Sequence, residues 1–194
     1  MRKVMWFSAA AILTALAGMA TAAPQADNVK NLGKDSAEFK NDRVHAAVDW
    51  ACLAQHPKER WTFLEVWLMP ASRKPIGIRR GDFSLVLPDG SSLVVPGREE
   101  LTAGLPDIRR LLTATYVPRE RTSGAFWPRR YTRKFGFHEE SGTLRLAFYS
   151  CTIDDQSAAY GEIYFENPLG SWPAGTYILE IRNGDIDIAI PFTL

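Results

Sequence analysis

The chain has 194 residues, 46% of them hydrophobic, and its 23 basic and 22 acidic side chains give a formal net charge of +1. A chain of this length is long enough for a single domain with a sizeable core. So balanced a charge exerts no overall pull toward nucleic acid or an anionic membrane, which argues against a nucleic-acid partner.

The first 22 residues have the features of a secretory signal peptide. A basic start at residues 1–3 precedes an apolar run at residues 4–17, and Ala20–Ala22 forms an Ala-x-Ala cleavage site. The alternative is a retained membrane anchor, but the apolar run is shorter than a full span. We expect cleavage after Ala22 and a periplasmic or secreted protein with no transmembrane segment after cleavage.

Residues 23–42 are polar, mixed in charge and without periodicity, which predicts a flexible N-terminal arm before a single domain at residues 43–194. Cys52 and Cys151 are the only cysteines. An even cysteine count in an oxidising compartment favours a disulfide between them, and the alternative is two unrelated buried thiols. In the chain-entropy model, closing a loop of this length contributes about 4–5 kcal/mol.

Alternating apolar residues predict the first strands in chain order. Residues 44–52 form the first of them. Residues 60–69 are apolar on both faces, which predicts a strand in the middle of a sheet. Residues 83–87 and 93–95 flank a Pro-Asp-Gly turn and predict a hairpin.

The periodicity then changes to about 3.6, which predicts one helix of about two to four turns between residues 98 and 114, with Pro106 in its first turn. Strands are predicted again at residues 144–151 and 162–166. The chain ends in two alternating runs on either side of Asn183-Gly184, a pair typical of a type I′ hairpin turn. Seven or eight short strands with one helix predict a mainly β, two-sheet antiparallel β-sandwich.

The stretch Trp172–Leu179, with the closing strand after it, resembles the last hairpin of many bacterial immunoglobulin-like domains. An early strand carrying Trp50 and Cys52, with Cys151 late in the chain, is similar to the Cys and Trp core of that superfamily. Two features depart from that pattern, because the Trp precedes its Cys on one strand and a helix interrupts the middle. The resemblance implies an immunoglobulin-like fold and no particular activity.

Common catalytic and cofactor motifs are absent from the sequence. It contains no Gly-x-Ser-x-Gly elbow, phosphate-binding glycine loop or dinucleotide fingerprint, so no cofactor is expected. We interpret the three histidines as structural, and the acidic residues near turns as solvent-facing charges rather than a metal site. The histidines are His45, His56 and His138, and the acidic residues are Asp154, Asp155, Asp185 and Asp187.

Segment 118–135, the basic segment, combines arginines with aromatic residues. Arginine binds carboxylate and phosphate through paired hydrogen bonds, and aromatic rings stack on sugars or support a cation. This composition predicts a surface for an anionic glycan, a lipid headgroup or an acidic envelope protein. The alternative is an aromatic cap on the core whose arginines pair with the chain's own carboxylates. The candidate binding residues are Arg119, Arg121, Trp127, Arg129, Arg130, Tyr131 and Arg133.

We therefore expect an exported binding or accessory module of the cell envelope rather than an enzyme. The alternative function is a secreted hydrolase whose site is assembled from scattered carboxylates, since such pairs meet in space and not in sequence.

Overall fold

The computed structural model describes residues 28–116, 119–125, 131–135 and 150–194, with the backbone alone at 119–121 and 131–133. This part of the chain is mainly β with few helices. Its strands are β1 (Val29–Asn31), β2 (Ser36–Lys40), β3 (Val44–Asp49), β4 (Trp61–Pro70), β5 (Ile76–Arg79), β6 (Phe83–Val86), β7 (Ser92–Val94), β8 (Tyr131–Lys134), β9 (Ser150–Ile153), β10 (Ser157–Glu166), β11 (Thr176–Arg182) and β12 (Asp187–Thr193). Its helices are α1 (Ala51–Gln55), α2 (Arg98–Ala114) and α3 (Arg119–Gly124), and Arg80–Asp82 forms a 3-10 turn.

Two sheets contribute to one hydrophobic core. The order is β1-β2-β3-β4-β10-β8 in the six-stranded sheet and β12-β11-β6-β7 in the four-stranded sheet, while β5 pairs with β9. The β8–β10 pair is parallel, whereas the central pairs are antiparallel. The core includes Trp50, which follows β3, and Phe192 of β12, whose rings stack with centroids 4.7 Å apart. The prediction of a mainly β chain with antiparallel sheets is confirmed.

Strand β4 is buried along its whole length between β3 and β10, as its apolar sequence predicts. Leu64, Val66 and Leu68 enter the shared core, so we call their side of the six-stranded sheet the inner face. The alternate residues of β4 point to the opposite, outer face, where Trp61 and Phe63 pack against α2.

Helix α2 fills the whole predicted interval and, at 17 residues, is longer than the two to four turns expected. Its first turn is capped by the Glu100 carboxylate, which accepts a hydrogen bond from the backbone N–H of Gly97. Ile108 and Leu111 are buried against the outer face. Pro106 lies inside the helix and not in its first turn, because the helix begins at Arg98.

The closing hairpin pairs β11 with β12 in the register that the alternation predicts, with Ile181 opposite Ile188. The predicted type I′ turn is wrong, since the positive φ angles of the described residues belong to glycines other than Gly184. Asn183 instead accepts hydrogen bonds from the backbone N–H groups of Asp185 (2.8 Å) and Ile186 (3.1 Å). Its side-chain amide also donates to the carbonyl of Gly77 at 3.0 Å. Contacts to a distant segment therefore shape this turn.

The prediction of a flexible arm at residues 23–42 is wrong over the part that the structure describes. From residue 28 onward it contains β1 and β2, which extend the six-stranded sheet beyond β3. Ala37 and Phe39 of β2 are fully buried and belong to the shared core. These two apolar residues among many polar ones supply the packing that orders the segment.

The predicted disulfide is also corrected, because Cys52 and Cys151 are not bonded. Strand β3 ends at Asp49, whose carboxylate accepts the backbone N–H of Ala51 at 2.8 Å, so the chain turns into α1. This turn puts Cys52 on the outer face under α2, whereas Cys151 of β9 packs at the margin of the shared core. The six-stranded sheet lies between the two thiols.

Candidate functional site

The basic segment is anchored to the six-stranded sheet at both of its described ends. Helix α3, which carries Arg119 and Arg121, contacts β2 and β3, and its Thr122 is fully buried. Strand β8, which carries Tyr131 and Arg133, pairs with β10 at the edge of the sheet. The remaining candidate residues lie outside the described part of the chain: Trp127, Arg129 and Arg130.

Phe135 fixes the C-terminal end of the segment. Its side chain is 3% exposed and its ring meets Phe83 of the four-stranded sheet edge-on, with centroids 6.1 Å apart. Gly161 leaves room for that ring, because a Cβ there would lie 2.9 Å from a Phe135 ring carbon. The basic segment, which the sequence predicts to bind a ligand, therefore ends in an aromatic residue of the core.

Three carboxylates lie side by side across the outer face. Asp49 of β3 is directly opposite Glu65 of β4, and Glu65 is directly opposite Glu162 of β10. Residues directly opposite on neighbouring strands have Cβ atoms about 4.5–5.5 Å apart. Ser36 of β2 lies opposite Asp49 and extends the same line. We call Ser36, Asp49, Glu65 and Glu162 the acidic row.

The acidic row is buried at one end and open at the other. Asp49 and Glu65 are 2% and 1% exposed, and the indole N–H of Trp67 donates to Glu65 at 3.0 Å. The hydroxyl of Ser36 is buried without a hydrogen-bond partner. At the open end, the ammonium of Lys134 lies 3.5 Å from the Glu162 carboxylate, whose side chain is 12% exposed. Lys134 is itself part of the basic segment.

Sequence reasoning missed the acidic row because strand register brings it together. Residues 49, 65 and 162 are far apart in the chain, and nothing in their spacing links them. One signal was present: Glu65 is a single charge inside an otherwise apolar strand. A buried charge of that kind requires partners, and those partners indicate a polar network.

His45 and His56 are the two histidines within the described residues. Nε2 of His45 lies 3.0 Å from the Glu38 carboxylate, between β3 and β2. Burial lowers the pKa of His45, and the hydrogen bond with Glu38 opposes that effect only in part. The Nε2 atom of His56 is buried without a hydrogen-bond partner. His138 lies outside the described residues.

The acidic residues near turns form hydrogen bonds and ion pairs within the protein. Asp154 accepts the backbone N–H of Gln156 at 3.1 Å, Asp185 pairs with Lys74 at 3.2 Å, and Asp187 pairs with Arg182 at 2.9 Å. Across the described residues, no group of three or more His, Cys, Asp or Glu side chains has a geometry suited to a metal ion.

An open groove lies between the β2–β3 turn and the β11–β12 turn, at residues 41–43 and 183–187. The Arg43 guanidinium spans it by donating to the Asp185 carbonyl at 3.1 Å. The groove contains no residue of the basic segment or of the acidic row.

No protein-family model, curated protein or solved structure matches this chain. Within the described ranges, none of the helices combines the length and apolar character needed to cross a membrane.

Proposed function

We propose that the fold is an immunoglobulin-like β-sandwich. The order β12-β11-β6-β7 corresponds to strands G, F, C and C′ of a variable-type domain, and β3-β4-β10 corresponds to A, B and E. The edge strand β8 departs from that pattern, because it is parallel to β10.

A tyrosine corner supports this assignment. The Tyr177 hydroxyl, at the start of β11, donates to the carbonyl of Pro173 at 2.6 Å. Immunoglobulin-like domains have such a bond at the start of strand F, from a Tyr hydroxyl to the backbone a few residues upstream. Burial, with the nearby charge of Asp89, raises the pKa of Tyr177 to about 12, so the hydroxyl keeps its proton as donor.

We propose that the protein is exported by its N-terminal signal peptide and acts by binding in the cell envelope. One observation carries the proposal: both described ends of the basic segment are anchored to the same sheet, by α3 on β2 and β3 and by β8 on β10. Anchoring to a sheet lowers the entropy that the two described ends of the segment lose when a ligand is bound. Clustered arginines favour anionic oxygen groups, as in an acidic glycan, a lipid headgroup or an acidic protein.

The acidic row favours a second candidate function, a secreted hydrolase. Retaining glycosidases use two carboxyl groups about 5–5.5 Å apart. Residues directly opposite on adjacent strands have Cβ atoms about 4.5–5.5 Å apart, so their carboxyl groups lie within reach of each other. Burial argues against it, however, because Asp49 and Glu65 are almost inaccessible and each accepts a hydrogen bond from the protein. A substrate would reach Glu162 alone, so binding is the better supported function.

Replacing Arg129 and Arg130 together by Ala tests the binding proposal on the exported chain. We expect weaker retention on an acidic polysaccharide or on anionic vesicles, and retention that falls as salt rises, because salt screens such contacts. The melting temperature should move by no more than a few degrees. Replacing Arg73 and Arg79, two exposed arginines outside the basic segment, removes the same charge and should leave retention unchanged.

Loss of stability in the Arg129 and Arg130 double variant with unchanged retention would show that these arginines are structural. An equal loss of retention in the control pair would show that retention depends on net charge and not on the basic segment. Cleavage of an envelope glycan by the wild-type protein, abolished in Glu162→Gln at an unchanged melting temperature, would favour the hydrolase instead.

A further inference from the structure

Strand β12 forms one edge of the four-stranded sheet and is the longest edge strand that the structure describes in the two large sheets. It has seven residues, whereas the other edge strands, β1, β7 and β8, have three or four. An edge strand presents a row of backbone groups that can pair with another chain, and a short edge limits that risk. The length of β12 gives it no such protection.

The register of the closing hairpin determines which backbone groups of β12 face outward. The N–H of Asn183 donates to the carbonyl of Ile186 at 3.0 Å, so these two residues form a hydrogen-bonded pair. Hydrogen-bonded and non-hydrogen-bonded pairs alternate along an antiparallel ladder. The even-numbered residues of β12 therefore direct their backbone groups toward β11, and the odd-numbered residues direct theirs to the free edge. We call this second set the outward positions: Asp187, Ala189, Pro191 and Thr193.

A proline occupies one of the outward positions. Because proline has no backbone N–H, it is tolerated in a sheet where that group would face solvent. Pro191 therefore costs no hydrogen bond to β11, but it leaves the free edge without a donor at that point. Within the described ranges, no backbone hydrogen bond joins the outward positions to another segment. Asp187 adds a side chain that is 74% exposed at the start of the edge, and charge and proline both discourage edge pairing.

A second copy of this chain is the partner that the edge fits, because two identical antiparallel strands pair about a two-fold axis. An axis at Ala189 would place position 187 of each copy opposite position 191 of the other. Two such residues normally exchange two hydrogen bonds, but Pro191 supplies no donor, so symmetry removes one bond on each side. Any two-fold pairing of β12 strands that extends beyond residues 187–189 includes position 191.

We infer that Pro191 keeps the free edge of β12 closed to a second copy of this chain. Without the proline, this edge is a surface for self-association. The inference does not depend on the proposed function, because it concerns the four-stranded sheet and not the basic segment. Replacing Pro191 restores one donor in each copy, and two added hydrogen bonds should tighten self-association by about 5- to 150-fold.

Pro191→Thr in the mature protein tests the inference, because threonine favours strands and adds little apolar surface. Sedimentation velocity over a concentration series should show association of the variant at concentrations at which the wild-type protein is monomeric. The matched control is Pro57→Thr, at an exposed proline in the turn after α1, and it should leave the wild-type behaviour unchanged. Adding Ala189→Pro to Pro191→Thr removes the donor at another outward position and should abolish the gain.

Amide hydrogen exchange followed by NMR tests the orientation of the edge independently. In the wild-type monomer, the amide of Ala189 should exchange faster than those of Ile188 and Ile190, which bond to β11. In Pro191→Thr, protection of the Ala189 amide should rise with protein concentration, and this readout decides the question even if the Ala189→Pro variant does not fold.

Four results would overturn the inference. The first is an Ala189 amide that is already protected in the wild-type monomer, and the second is a Pro191→Thr variant that associates no more tightly than the wild-type protein. The third is an equal gain in Pro57→Thr. The fourth is association of Pro191→Thr that leaves the Ala189 amide unprotected or that persists after Ala189→Pro.

Discussion

The close contact between Gly104 and Trp61 is a sharp test of how α2 docks on the outer face. Gly104 is buried in the middle of the helix, and a Cβ at this position would meet the Trp61 ring far inside van der Waals contact, with the indole nitrogen 2.8 Å away. Trp61 is only 3% exposed, so its ring has little room to move. Gly104→Ala should therefore push the helix away from β4.

Two opposing effects set the magnitude. Alanine is better than glycine in a helix interior by about 1 kcal/mol, whereas overpacking a buried contact costs about 1–3 kcal/mol. The deep overlap with a buried ring favours the upper part of that range, so we expect a net loss of about 1–2 kcal/mol in the free energy of unfolding. For a domain of this size, the melting temperature should fall by about 2–8 °C.

Thermal and urea unfolding followed by circular dichroism measure this loss without relying on tryptophan. Ala103→Gly, at the exposed neighbouring position, reports helix propensity alone and should cost about 1 kcal/mol. In a Trp61→Phe background, which lacks the atoms that overlap, Gly104→Ala should become neutral or stabilising. A higher melting temperature for Gly104→Ala in the wild-type background would refute the docking geometry.

Two further predictions concern the closing hairpin and His45. Ile188→Asp should unfold or insolubilise the domain, because it buries an unpaired charge, whereas Asp187→Asn should change stability by less than about 1 kcal/mol; similar melting shifts would contradict the register. Burial lowers the pKa of His45 below its usual 6.5, so the unfolded chain binds this proton more readily. Stability should then be lost as pH falls from 6.5 through the lowered pKa, by at most about 1.4 kcal/mol per pH unit, and His45→Gln should flatten that part of a pH series of urea unfolding curves.

Local periodicity determined much of the fold. The alternation in β11 and β12 places their apolar residues on one buried face, and a strand with one buried face tolerates a single register. The apolar sequence of β4 determined its central position, because strand residues buried on both faces require a neighbour on each side. The spacing of Ile108 and Leu111 likewise determined a helix with one apolar stripe.

The tertiary structure decided what depends on distant partners. The Asn183 side chain bonds to Gly77, so the turn that Asn-Gly predicts gave way to a different one. Strand β3 ends at Asp49, shortly before Cys52, and the chain then turns into α1. That turn places the two cysteines on opposite sides of a sheet. Ala37 and Phe39 order a polar segment only because a complete core is present to receive them.

The candidate site also has one part that the sequence reveals and one part that only the folded chain brings together. Composition was enough to single out the basic segment, since a cluster of like charges among aromatic rings is visible in any stretch of sequence. The acidic row was not visible, because Asp49, Glu65 and Glu162 become neighbours only through the registers of β3, β4 and β10. Register is settled by burying one face of every strand at once, and for that reason only the folded sheet brings the three carboxylates together.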